Sequence, residues 1–587
     1  MKLKKLRDKM INNSIDFYIV PTFDPHGSEY IPENYKEREF ITDFSGSAGV
    51  AIISLSEAYL WTDGRYFIQA EEQIKNTGFT LMKMGFSGVP SYTEWIGNTV
   101  EKNQTIGLDL ECFPQESYEK LKSSLRFKNI NIKNINLIKE IWEDRPLPPK
   151  GKVYIYEDKY AGKTSKEKLL EVRREMKNMK SEITIISSLE DIAWLFNIRG
   201  SDIKYTPLVM SYAIIEEDRA LLFVDLEKIS NDVKNYLESF CELYNYSDIF
   251  NYVEKYENTS IYVDKNKLNN KLFNCIDKSN EIISGNNLTE KLKSIKNSTE
   301  LANIEKAYIK DGVALTKFIF WIKRTIKNKG ITEYEAELKL REFRKLSKDY
   351  IYDSFDTISA YEKNAAMMHY HASEENSSTV KNSGFLLVDS GAQYLEGTTD
   401  ITRTISMGNL SSEEIRDFTY VLKSHLMLAT CVFLKGTTGK ALDSIARYNV
   451  WKNRTDYKSG TGHGIGCFLS VHEAPPSISP RALESPMEVG MIVSNEPGIY
   501  REGKYGIRTE NILKVVYDEK VDDDIFYKFN TISFAPIDID AIDVNLLEDY
   551  EINALNSYHR EVYNKISDYL TDEERKWLFE VTKNISK

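Results

Sequence analysis

Near the amino terminus, apolar side chains arrive in short runs separated by polar stretches. After a polar, helix-like start (MKLKKLRDKMINNS), FYIVP from residue 17 is a run of strand length. AGVAIISL (48–55) and AYLWTD (58–63) are two more, joined by a short turn, and TIGLDL (105–110) repeats the signal before the helix-like ESYEKLKSSL. Strand-length runs bounded by turns and interleaved with helical stretches predict an α/β domain. The pattern stops at RPLPPKGK, where three prolines in four positions break any regular element, so a first domain is placed at residues 1–150.

Residues 151–295 partly repeat that order. ITIISS (183–188) echoes FYIVP, LFNIRGSD (195–202) echoes FITDFSGS (40–47), and the pair LVMSYAII (208–215) and ALLFVD (220–225) echoes AGVAIISL and AYLWTD. The echo predicts a duplicated α/β domain. Apolar strand pairs are common, so two unrelated α/β domains are the alternative. From residue 296 the texture changes. Residues 297–326 carry apolar positions at steps of three and four, a long amphipathic helix, and EYEAELKLREFRKL (333–346) is a second. Strand-like pieces follow at 384–394, 398–407, 491–500 and 510–516, with a further helix at 411–433 opened by Ser411 and Glu414 in capping-box register. Mixed elements in this order predict an α+β domain over 296–587. In the tail, Thr571 and Glu574 mark one more helix start, with Trp577 on a helix that packs on the catalytic domain or at an interface.

Composition narrows the function. The chain has 587 residues and a formal net charge of -12, with basic residues scattered rather than striped, which argues against nucleic-acid binding. Five distant cysteines without a CxxC pair read as free thiols in a reducing compartment. No apolar run is long enough to span a membrane, and the amino-terminal stretch lacks the apolar core of a signal peptide. The expectation is a cytoplasmic protein with no membrane and no nucleic-acid partner.

The chemistry lies in acids that interrupt apolar strands. Asp389 follows four apolar residues, and Asp400 sits beyond a turn containing Gly397; a hairpin there brings the two carboxylates together. Such a pair is costly to bury without a cation. His463 lies in the glycine-rich TGHGIG, where a backbone or ligand can approach closely, Glu496 ends MIVSNE, and Glu510 opens ENILKVV. Four carboxylates carry about -4 and two divalent ions about +4, so a two-metal site with these five residues is near neutral. Oxygen donors with one imidazole suit Mn2+ well, and Zn2+ or Co2+ less distinctively.

VDSG with TTDITRT, GTGHGIG, NEPGIY and GIRTEN resemble the motifs of the pita-bread metallopeptidases, which include methionine aminopeptidase, prolidase and aminopeptidase P. FSGSAG (44–49), WTDGRYFIQAE (61–71), LEDIAWLFNIRGSD (189–202) and AYIKDGVAL (307–315) extend the likeness over nearly the full chain, toward the three-domain cytosolic aminopeptidases P. The resemblance implies an α/β and α+β fold, with two creatinase-like amino-terminal α/β domains followed by a pita-bread catalytic domain. It implies a homodimer, and release of the amino-terminal residue from short peptides whose second residue is proline. The metal ligands it implies are Asp389, Asp400, His463, Glu496 and Glu510, with Asp400 and Glu510 bridging both ions. A shared hydroxide attacks the Xaa-Pro bond, Glu496 handles the proton, and His369 and His472 contact the substrate. His371 competes for the role of His369. Arg508 supports the metal shell, and Arg65 reaches the substrate. One position departs from the family: Ser459, in KSGTGH, stands where a histidine is usual. The alternatives are a prolidase, which is usually shorter, and a creatinase-like hydrolase or binding module that has lost the metal; those relatives lose ligands, and all five are present here.

Overall fold

The computed structural model describes residues 2–482 and 485–587, which fall into two compact units. The first holds residues up to Asp158 together with Lys163–Leu292; the second holds Lys159–Gly162 and Lys293–Lys587.

The first unit contains two six-stranded sheets of identical wiring. In the first sheet, β1 (Phe17–Pro21), β2 (Val50–Ser54), β3 (Ala58–Thr62), β4 (Thr80–Lys83), β5 (Thr105–Leu108) and β6 (Asn131–Asn134) run in the order β4-β3-β2-β1-β5-β6. Only the β1–β2 and β2–β3 pairs are antiparallel. In the second sheet the strands from Ile183, Ser211, Ala220, Glu242, Ser260 and Glu281 take the corresponding places, with the same two antiparallel pairs. The unbroken apolar runs have a physical cause in this layering. Tyr18, Val20, Ala51, Ile53 and Leu60 pack on one face of the first sheet, and Phe17, Ile19, Ile52, Trp61 and Ile106 on the other. A strand buried on both faces has no polar side to alternate with.

The second unit opens with the helix Ser298–Thr325, capped by a reciprocal Asn297–Glu300 box, and packs it against the helix Glu333–Arg344. Its largest sheet has six strands, in the spatial order Val432–Leu434, Asp524–Thr531, Asn511–Val521, Ile492–Asn495, Gly462–Gly464 and Glu473–Ile478. A smaller sheet joins Ile358–Tyr361, Phe385–Ser390 and Ile401–Ser406.

Several elements differ from the sequence reading. The segment 491–500 is two strands, because Pro497 has no N–H to continue the ladder, and Gly498–Arg501 pairs elsewhere. The helix predicted over 411–433 is Ser412–Ala429, and Val432–Leu434 becomes an edge strand. The helices Gly439–Lys452 and Asp549–Ile566 were not predicted. The tail helix Asp572–Val581 has its Thr571–Glu574 box and packs on the first long helix of the same unit: Lys317 binds Glu574 at 2.6 Å, and Trp577 lies 5.6 Å from Phe320. None of the five cysteines is in a disulfide, and among the described residues no helix is long and apolar enough to cross a membrane.

Candidate metal centre

A hairpin supplies the first two acids. Phe385–Ser390 pairs antiparallel with Ile401–Ser406, which sets Asp389 opposite Thr402. The same register holds at the tip, with Gln393 opposite Thr398 and Tyr394 opposite Gly397, so Asp400 falls opposite Gly391. Positions 389, 391, 400 and 402 therefore share a face, with Asp389 and Asp400 as diagonal neighbours. Gly391 is required there, since a β-carbon would run into the carbonyl of Thr399.

The larger sheet supplies the rest. Ile492–Asn495 pairs antiparallel with Asn511–Val521, Asn495 opposite Asn511, and one more step of that register sets Glu496 against Glu510. The Glu496 amide donates to Thr461 O at 2.8 Å and the Glu510 amide to Thr402 O at 3.1 Å, the second bond tying the hairpin to the sheet. His463 lies on the neighbouring strand, its amide donating to Ser494 Oγ at 3.0 Å. A β-carbon at Gly462 would meet the Ser494 carbonyl, so only glycine allows this approach. Nδ1 of His463 lies 2.9 Å from Gly464 O, which makes Nδ1 the protonated nitrogen and leaves the Nε2 lone pair free to bind. That Nε2 points at the acids, 3.5 Å from Asp400 Oδ2 and 3.4 Å from Glu496 Oε1. Ligand atoms of Asp400, His463 and Glu510 all lie within 4.8 Å of one another.

The electrostatics are one-sided. Asp389, Asp400 and Glu510 are buried and Glu496 half-buried, while Arg508 contacts the group through Asp389 and at 3.9 Å from Glu496. Burial raises the carboxyl of Asp400 well above its usual range, and Glu510, Asp389 and Glu496 add to the rise. Glu510 is raised in the same way by burial, then by Glu496 and Asp389. Glu496 is pushed up to about 6 by burial, with Arg508 opposing and Asp389 adding. Asp389 Oδ1 and Glu510 Oε1 are buried and accept no hydrogen bond. Orphaned carboxylate oxygens facing like charge are expensive unless cations sit among them. The residue set fits divalent metal ions.

Of the other predicted residues, His472 stands beside His463, the rings perpendicular at 4.3 Å between centroids, and its charge lowers the Glu496 carboxyl. His369 is half-buried in the loop after the short helix Glu362–Ala366, which packs on the strand Tyr505–Arg508; His371 in that loop is exposed. Arg65 lies in the amino-terminal unit, its guanidinium bidentate to Asp63 at 2.9 and 2.8 Å. Ser459 offers its carbonyl to Arg447 at 3.2 Å.

Sequence reasoning missed the residues that hold the acids in place. Thr402 donates to Glu510 Oε2 at 2.6 Å, and Ser494 to Glu496 Oε1 at 3.3 Å. Thr402 stands two residues after Asp400 on the same strand face, and that spacing was the available signal. Arg447 pairs with Asp443, which accepts from Thr461 at 2.6 Å and so braces the loop before His463. No sequence signal marked that pair.

Comparison with known proteins agrees along the chain. Residues 2–141 and 144–300 each match a family described as the creatinase/prolidase amino-terminal domain, residues 302–516 match metallopeptidase family M24, and residues 525–585 match its carboxy-terminal region. The chain is similar to Xaa-Pro aminopeptidase 1 of Dictyostelium discoideum, 38% identical over 584 residues that cover 96% of this chain and 92% of that one. It is also 38% identical to aminopeptidase P2 of Arabidopsis thaliana over 614 residues, covering 98% and 86%. Among solved structures it resembles an X-prolyl aminopeptidase of Caenorhabditis elegans, described as a cytosolic enzyme with a di-nuclear active site: 31% identity, TM-score 0.95, covering 100% and 99%. The fold is that of two creatinase-like amino-terminal domains followed by a pita-bread domain.

Proposed function

The chain belongs to metallopeptidase family M24, with the Xaa-Pro aminopeptidases it matches along its length, and from that premise we propose that it releases the amino-terminal residue from short peptides with proline second. The observation that carries the reading is the gathering of Asp400, Glu496 and Glu510 around Nε2 of His463, with Asp389 beside them on Arg508. Asp389, Asp400, His463, Glu496 and Glu510 would together hold two divalent ions. Mn2+ suits the oxygen-rich donor set, ahead of Zn2+ and Co2+. When bound, the ions acidify a water to supply the nucleophile and polarise the peptide carbonyl.

The chain's own residues do the rest. Glu496, pushed up to about 6 by burial against the pull of Arg508, is a carboxylate near neutral pH that would take the proton of the attacking water and pass it to the leaving proline nitrogen. His472 and His369 hydrogen-bond the substrate as charge develops on its carbonyl oxygen. Arg508 keeps Asp389 aimed. A penultimate proline has no N–H to donate, so a shaped apolar slot suffices to select it. The working form is taken to be a cytoplasmic homodimer, on the family resemblance and the cytosolic worm enzyme.

The test is metal analysis of the purified protein beside hydrolysis of a Xaa-Pro-Xaa tripeptide and a Xaa-Pro dipeptide with added Mn2+. Two ions per chain and cleavage of the tripeptide alone are expected. Cleavage of the dipeptide alone identifies a prolidase, and a protein without metal or peptidase activity ends the proposal.

A further inference from the structure

The loop that carries His472 is tied down by charge from its far side. Glu473, the next residue, opens the strand Glu473–Ile478, which lies along residues 462–464 with Gly464 opposite Glu473 and His463 opposite Ser477. The Glu473 side chain is 2% exposed and meets Lys296, 1% exposed, whose ammonium donates to Glu473 Oε1 and to Lys293 O at 2.9 Å. The Lys293 ammonium stands 3.3 Å from Glu473 Oε2 and is also buried. Burial pulls the Lys296 ammonium down, but Glu473, then Cys467 and Glu300, outweigh it and keep the ion charged.

A buried ion pair is a weak way to gain stability, because hydrophobic packing of the same volume serves as well or better. What it does supply is direction. Glu473 is bonded directly to His472, which stands in the bend before the strand, so a pinned Glu473 carboxylate fixes the backbone that carries the His472 side chain. The His472 ring stands perpendicular to that of His463, 4.3 Å away between centroids. The lysines come from residues 293–296, at the start of the long segment of the second unit.

We propose that the Lys296–Glu473 pair, with Lys293 at its edge, is a positioning device for His472, so that the first residues of the catalytic unit take part in turnover. The inference rests on the substrate role given to His472 above. Its test is a double-mutant cycle on the full-length, Mn2+-loaded enzyme, with kcat and KM for a Xaa-Pro-Xaa tripeptide measured for wild type, Lys296→Met, His472→Ala and the double variant. Lys296→Met is expected to lower kcat by about 10- to 100-fold with KM changed less than about threefold, the scale of a misplaced contact group. In the His472→Ala background the same substitution should cost less than about twofold, because the group it positions is gone. Equal losses in both backgrounds, or no loss in either, overturn the device. A His472→Ala enzyme with unchanged kcat/KM instead sinks the substrate role of His472 itself, a distinct result. Should Lys296→Met not fold, Lys293→Met, which leaves the Lys296–Glu473 contact in place, takes its position in the cycle. A loss of about threefold that disappears in the His472→Ala background then supports the device, and equal losses or none overturn it.

Discussion

Both units bury carboxylates, but on opposite terms. In the amino-terminal unit, Asp202 is matched one for one: Lys228 binds it at 2.7 Å, and the amides of Met210 and Gly151 donate to it at 2.8 and 3.1 Å. In the catalytic unit Asp389, Asp400, Glu496 and Glu510 share Arg508, and two of their buried oxygens accept nothing. The difference teaches that a buried acid beside a strand says little by itself. A surplus of buried acid over base marks the place where the chain expects charge from outside.

Breaking the surplus should have the largest effect. Asp400→Ala is expected to lower kcat/KM by at least about 10³-fold, the scale of losing one member of a set that acts as a unit. Elemental analysis should show metal lost with it; full turnover in that variant sinks the ligand assignment. Breaking the matched pair should act on stability instead. Lys228→Met strands a buried Asp202 and should destabilise the folded protein by about 3–5 kcal/mol in urea titration, with metal content unchanged. Loss of metal there would erase the contrast.

Buried histidines sharpen the comparison because they do not separate the units. Burial lowers His26 in the first unit, and burial followed by Arg403 takes His425 in the second down to about 3 from an ordinary 6.5. Between those values the unfolded chain binds the extra proton, so stability falls as pH drops from 6.5 toward 3. His425 contributes a slope of up to about 1.4 kcal/mol per pH unit. Urea titrations at several acidic pH values should show that slope reduced in His425→Gln; an unchanged slope refutes it. The smallest effect is expected at Ser459. Ser459→His restores an imidazole beside the braced loop and should change KM or the pH profile by about two- to tenfold, one hydrogen bond's worth, with kcat retained. Identical constants from about pH 6 to pH 9 would count against any role for this position.

Much of this was legible in the chain itself. Continuous apolar runs announced strands, and the glycine turn between Asp389 and Asp400 announced their hairpin. The helix Gly439–Lys452 escaped because its buried face interleaves Asp443, Arg447 and Asn449 with Leu442, Ala446 and Val450, which dilutes the apolar stripe. The break at Pro497 was visible as a residue but not as a consequence, since only the pairing of Ile492–Asn495 shows which ladder it ends. Thr402 acts through Glu510, far along the chain, and local spacing carries no record of so distant a neighbour.

The repeated strand order in the amino-terminal unit bears on how the chain is made. Two tandem sheets with the same wiring invite a strand of one to insert into the other during synthesis, a known hazard of similar neighbours. Their side chains have diverged, with Phe17, Tyr18 and Val20 in one central strand against Ile183, Thr184 and Ile186 in its counterpart. A swapped strand would bring the wrong volumes to both cores, and mismatched volumes in a packed core are destabilising.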